Sequence, residues 1–245
     1  MAASLGHWPV GEALFDKIKA LQGHNKIILG FSRGKDAVGA ALGLLPYFDE
    51  VIPVYKALLP DAEFVLQSIR YYERHLFKRK IHVVPHNNTF RQWENFVFQT
   101  PSTARIFELI PYPRWNDDEV RRHICKLEGL PFTTYTATGV RAADSVTRRT
   151  ALMRNGPITV SKHTVHAIWD WNKARLIGAM QEASVKLPID YRVWGRTLDG
   201  VDARFMIPMR ERLPRDYELA CERFPLIPAD ILRYERIRKE QGHAT

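Results

Sequence analysis

The chain has 245 residues, 45% of them hydrophobic, and a formal net charge of +9. That is material for one large α/β domain, or one domain with an extension, and the charge favours polyanionic partners. No apolar run approaches the roughly 20 residues that span a bilayer. The first residues, MAASLGHWPVGEALFDK, lack a basic segment followed by an apolar one. A cytoplasmic protein with no membrane partner is expected. Two cysteines, Cys125 and Cys221, lie far apart and form no C-x-x-C pair, which is poor material for a disulfide framework or a zinc site and reads best as two free thiols.

Residues 1–24 read as a helix without a motif. The apolar run Lys26–Phe31 then reads as a strand, followed by the small basic loop Ser32–Asp36 and the alanine- and leucine-rich stretch AVGAALGLLPYF, which reads as a helix. A strand that ends at a helix N-terminus offers free N–H groups and the positive end of the helix dipole. Gly34 lets the backbone approach an anion, Lys35 adds a full charge, and Ser32 adds a hydroxyl donor. Asp36 makes sense beside phosphate only with a magnesium ion between them. The spacing is not that of the ordinary nucleoside-triphosphate loop, because Gly30 lies four positions before Gly34 and Asp36 follows Lys35.

Strand and helix patterns go on alternating: Val51–Tyr55, a helix over 61–76, and Ile81–Val84, with His86 just beyond. This alternation predicts a parallel sheet with helices on both faces, with ligands at the carboxyl ends of the strands. Residues 87–113, aromatic and proline-bearing, read as an insertion or lid. A capped helix is expected from Trp115 to near Gly129, with Asp117, Asp118 and Glu119 suiting its dipole. Phe132–Thr138 reads as a strand, ended by Gly139, with a helix from Ala142 and Asp144 or Ser145 near its first turn. Arg141 and Arg148 flank that helix start, a geometry suited to phosphate or sulfate.

After Gly156-Pro157 the composition shifts toward tryptophan and proline. The expected division is a nucleotide-binding α/β domain over 1–160 and a mainly helical extension over 161–245 packed on it. His163 and His166 share a three-residue spacing but have no third metal ligand nearby, so core or surface histidines are the better reading. Trp169 and Trp171 read as core residues beside Asp170. Basic clusters stand at Lys78–Lys80, at Arg121 and Arg122, at Arg148, Arg149 and Arg154, and in the tail RYERIRKE. They fit either nucleic acid or solvated helix faces.

The segment S-x-G-K-D, Ser32 to Asp36, resembles the PP-loop of the adenine-nucleotide α-hydrolase superfamily, usually S-G-G-K-D-[ST]. Here Arg33 replaces the middle glycine, where it either adds a phosphate contact or blocks the loop geometry. Ala37 replaces the last hydroxyl. Gly139, Arg141, Asp144, Ser145 and Arg148 match the G-x-R-x-x-[DE]-S-x-x-R pattern of PAPS-reductase-like proteins. The outline of the resemblance runs from Lys26 to Asp190, and the tail GRTLDGVDARFMIPM is similar to those of phage and mobile-element proteins.

The resemblance implies a Rossmann-like parallel sheet that binds ATP and magnesium. Ser32, Arg33, Gly34, Lys35, Gly139, Arg141, Ser145 and Arg148 would hold the nucleotide. Lys35, Asp36 and Arg141 would act in catalysis, and Asp36 would hold the metal. ATP would be cleaved at its α-phosphate into AMP and pyrophosphate, with an adenylated acceptor between, such as a base in DNA or tRNA. The alternatives are a PAPS or APS reductase-like enzyme and a non-catalytic nucleotide sensor or nucleic-acid-binding protein. The reductase reading lacks its C-terminal cysteine, and no iron–sulfur cluster is implied. A homo-oligomer stays open.

Overall fold

The computed structural model describes residues 8–86, 97–109 and 115–242. The protein is α/β, with a central sheet of six strands in the order β3-β2-β1-β4-β6-β5, flanked by helices. Helix α1 (Gly11–Gln22) leads into β1 (Lys26–Gly30), α2 (Lys35–Leu44), β2 (Glu50–Ala57), α3 (Glu63–Tyr72) and β3 (His82–Pro85). Helices α4 (Pro101–Leu109) and α5 (Asp117–Leu127) precede β4 (Thr136–Thr138). Then come α6 (Val146–Asn155), β5 (Ile158–Thr159), β6 (Thr164–His166), α7 (Lys173–Glu182), α8 (Asp190–Trp194), α9 (Ala203–Arg212), α10 (Pro214–Arg223) and α11 (Ile227–Gly242). Residues 87–96 and 110–114 of the expected insertion lie outside the described residues; the part between contains α4.

β1 pairs in parallel with β2 on one side and β4 on the other, and β4 pairs in parallel with β6. The short β5 runs antiparallel to its neighbour β6. Ile27, Ile28 and Leu29 of β1 are all buried, the apolar run that a strand covered on both faces requires. The strand order reverses direction between β1 and β4. Ligands of open α/β sheets gather at such a switch point, outside the carboxyl ends of the strands.

The chain divides into two compact units, 1–56 with 71–84 and 116–187, and 57–70 with 85–115 and 188–245. The division expected after residue 160 therefore differs: residues 161–187 stay with the first unit. β6 lies beyond that point yet is hydrogen-bonded between β4 and β5. Strands of two and three residues are too short to leave a period in the sequence.

In the first unit α2 is built of small residues so that it can be closely approached. A Cβ on Gly39 would meet Leu176 Cδ1 at 2.2 Å, and one on Gly43 would meet Ile168 Cγ2 at 3.1 Å and Trp171 at 3.3 Å. Gln22, at the end of α1, ties two strands. Its amide donates to the carbonyls of His24 and Lys26, and its Oε1 accepts from Tyr135 N. In the second unit buried carboxylates cap helix starts. Asp216 accepts from Glu63 N at 2.6 Å at the head of α3, and Asp230 accepts from Ala203 N at 3.0 Å at the head of α9. Among the described residues no helix is long and apolar enough to cross a membrane.

Candidate functional site

The loop after β1 and the loop after β4 meet. Gly34 is the N-cap of α2, and Lys35 and Asp36 fill its first turn. The Lys35 ammonium sits 2.7 Å from Asp36 Oδ2, and Arg141 Nη2 lies 2.9 Å from Asp36 Oδ1. The same Arg141 nitrogen lies 2.7 Å from Asp144 Oδ1, and Asp144 Oδ2 accepts from Arg148 Nη1 at 3.0 Å. Lys35, Asp36, Arg141, Asp144 and Arg148 thus form one chain of alternating charge.

Gly139 explains how the two loops come so close. A Cβ there would stand 2.4 Å from the Asp36 carbonyl oxygen and 3.0 Å from Ala37 N, both backbone atoms that cannot swing away. Ser145 caps α6, its hydroxyl accepting from Arg148 N at 3.1 Å. Asp144 steadies the turn before it, accepting from Arg141 N at 3.1 Å. Arg141 is almost wholly buried, and among the described residues its Nε and Nη1 have no hydrogen-bond partner. Such orphaned donors on a buried cation are costly unless something compensates them.

Arg33 stands apart from this cluster. It is 1% exposed and has φ 64°, the left-handed region in which glycine is at ease. Its guanidinium lies 4.8 Å from the centre of the Tyr55 ring and donates to the Tyr55 hydroxyl at 3.2 Å. Arg33 thus packs inward on β2, while Ser32 before it is exposed.

A cavity of about 520 Å³ opens on one face of the first unit's sheet. Ile28, Gly30, Val54 and Thr136 form its floor, α5 covers it through Val120, Arg121 and Ile124, and Lys56, Lys162 and Ser161 add polar groups. It reaches Gly30 and Thr138, the last residues of β1 and β4, from which the two loops depart. Lys56 is ion-paired with Asp117 at the head of α5. The size and the mixture of an apolar floor with few polar groups are those of a small-molecule site.

Of the lining residues, Asp117, Asp118 and Arg121 stand out in the sequence, though not as parts of a site, and the strand residues do not stand out. Their signal is faint, because Ile28, Gly30, Val54, Thr136 and Thr138 look like ordinary strand residues until the register aligns them. The acidic head of α5 does cap the helix. Asn116 accepts from Asp118 N and Glu119 N, and the Glu119 carboxylate accepts in turn from Asn116 N. Asp118 pairs with Arg121 and Arg122, and these partners hold its carboxyl below the ordinary range.

His166 was set aside as a metal ligand, and it lies at the end of β6 with its Nδ1 2.7 Å from Thr138 Oγ1. Burial, then the Arg148 charge, pushes its pKa down. His163 packs against Tyr135. Among the described residues no group of three or more His, Cys, Asp or Glu side chains is placed to hold a metal. His86, in the second unit, donates its backbone N–H to Ala57 O. Trp169 is fully buried and donates to Pro9 O, and Asp170 pairs with Arg175.

No family model matches this chain, and no curated protein matches it.

Proposed function

We propose that the chain is a nucleotide-binding enzyme of the adenine-nucleotide α-hydrolase type, similar to PAPS-reductase-like proteins, and that it cleaves ATP at the α-phosphate. The observation that carries this reading is the contact between the two loops at the switch point, Arg141 on Asp36 with Gly139 against the Asp36 backbone. The loop Ser32–Lys35 would cradle the β- and γ-phosphates through the N–H groups at the head of α2 and the Lys35 charge. The nucleoside would extend toward Gly30 and Thr138 and the cavity beside them. An acceptor nucleophile would attack the α-phosphorus, the bond to the bridging oxygen would break, and pyrophosphate would depart with that electron pair. Lys35, Arg141 and Arg148 would stabilise its charge. The adenylated acceptor would then lose AMP to a second nucleophile.

Asp36 is the single carboxylate of the loop, and both its oxygens face cations. It suits magnesium only together with ATP, whose phosphates would draw Lys35 from Oδ2; one carboxylate plus phosphate oxygens is an ordinary magnesium donor set. Magnesium, when bound, would neutralise part of the charge on the leaving group.

The pairing of Asp36 with two cations also favours a second reading, binding of a nucleotide or sulfonucleotide without metal or turnover. Thermal-shift titration and chromatography of labelled ATP products, each with magnesium and with chelator, separate them. Magnesium-dependent release of AMP and pyrophosphate is expected. ADP and orthophosphate would overturn the enzyme reading. Nucleotide binding unaffected by chelator, with no product, would select the second.

A further inference from the structure

We propose that the exposed helix α6 docks the phosphodiester backbone of a nucleic acid beside the nucleotide site. The inference rests on the proposed function, since it names the partner that would carry the acceptor.

The positive charge of this chain is not evenly spread. Between Pro188 and Gly242 eleven Lys or Arg residues meet ten Asp or Glu. Many are paired there, as in Arg210–Glu235, Arg223–Asp61 and Arg236–Glu240. From Ser145 to Trp169, by contrast, there is no acidic residue at all, and Arg148, Arg149, Arg154 and Lys162 go unbalanced along the chain. Arg149 and Arg154 have no ion pair among the described residues.

The helix that carries three of these charges is almost bare. Eight of its ten residues are exposed, and only Leu152 is buried. So short a helix gains little stability by itself, and most surface helices repay their formation by burying an apolar face. Here the Ser145 cap and the Asp144–Arg148 pair hold the start. The exposed face lacks what a protein partner would grip. It has no aromatic residue, and Val146, 80% exposed, is its one large apolar side chain. Unpaired arginines on an otherwise polar helix fit phosphates instead. The position is also apt, because Ser145 and Arg148 of the candidate site form the first turn of this helix. A backbone lying along Arg149 and Arg154 would hold one of its nucleotides near the loops.

Fluorescence anisotropy with short labelled duplex DNA, single-stranded DNA and an RNA hairpin tests this across a salt series. The variant carries Arg149→Glu and Arg154→Glu, neither placed in the nucleotide site. The expected result is binding by wild type to at least one of the three. The variant should bind at least about tenfold more weakly, with a salt slope reduced by about one per lost contact. The best-bound probe identifies the source of the backbone. A paired Arg236→Glu and Arg238→Glu variant in the tail should bind as wild type does. ATP-induced thermal stabilisation should be equal in all three proteins, showing that they are folded and that the nucleotide site is intact. Equal oligonucleotide binding by wild type and the Arg149/Arg154 variant would overturn the proposal. So would no binding by wild type, or equally tight binding of polyglutamate. The nucleotide reading would stand or fall separately, on ATP binding by wild type.

Discussion

Gly139 is the residue on which the meeting of the two loops depends. Gly139→Ala would put a methyl group inside the contact distance of the Asp36 backbone. The strands would have to part, at a cost of about 1–3 kcal/mol, as in other overpacked interiors. Denaturant unfolding should show that loss, and ATP stabilisation should fall with it as Arg141 withdraws from Asp36. Unchanged stability would mean that the loops do not touch. Arg33 makes the opposite case. Its φ of 64° costs about 1–2 kcal/mol that glycine would not incur. Its buried bond to Tyr55 and its seat on that ring contribute about 2–4 kcal/mol together. Arg33→Gly should therefore destabilise the protein by about 1–2 kcal/mol even though it restores the glycine of the PP-loop pattern. A stabilised variant would show that strain outweighs the seat. The motif residues were legible because a lysine and a carboxylate after an apolar run have few structural uses. The inward turn of Arg33 was not legible, because its partner Tyr55 lies on the neighbouring strand.

At the scale of elements, periodicity located β1, β2, α2 and α5 well. It extended β4 too far, from Phe132, whereas the strand holds only Thr136–Thr138. The reason lies in where the backbone bonds go. Thr134 turns back on Pro131 O, and the buried Arg121 takes the carbonyls of Phe132 and Thr134, so no ladder forms there. Propensity saw β-branched and aromatic residues; a tertiary arginine overrode it. The expected helix over 61–76 is α3 followed by a wider turn over Glu73–Phe77, ended by Lys78 at φ 56°. The cap of α5 was legible as an acidic cluster, though Asn116 is the capping residue. Asn116→Ala should cost about 1 kcal/mol in denaturant unfolding.

The β4–β6 junction gives stability a pH dependence. Burial and Arg148 lower the pKa of His166 from 6.5, and burial likewise lowers those of His24 and His163. In each case the unfolded chain takes up the proton first as pH falls. The contribution is therefore complete above pH 6.5 and is lost as pH falls through the lower folded values. The urea midpoint should drop between about pH 7.5 and about pH 5, and His166→Asn should shrink that drop. An equal drop in the variant would take His166 out of the account.

For the whole molecule, the sequence conveyed an alternating α/β chain but not its division, because the compact units are assembled from separated segments that no local composition marks. The division bears on the chemistry through the two cysteines. Cys125 is buried in the first unit, on α5, and Cys221 is half-buried in the second, on α10. Burial pushes both thiols up from their ordinary value. A thiol nucleophile needs the reverse, a lowered pKa in a positive and accessible setting. Arg121 beside Cys125 does act in that direction, but burial outweighs it. If the chain turns over ATP, the attacking group then belongs to the acceptor. Cys125→Ser should tax folding more than Cys221→Ser, since a buried hydroxyl must find a partner that a thiol does not need. Among folded variants, AMP and pyrophosphate formation should match wild type, and alkylation of native protein should leave it unchanged. Loss of turnover in a Cys221→Ser protein with wild-type unfolding would return the chain to thiol chemistry and displace the acceptor from the mechanism.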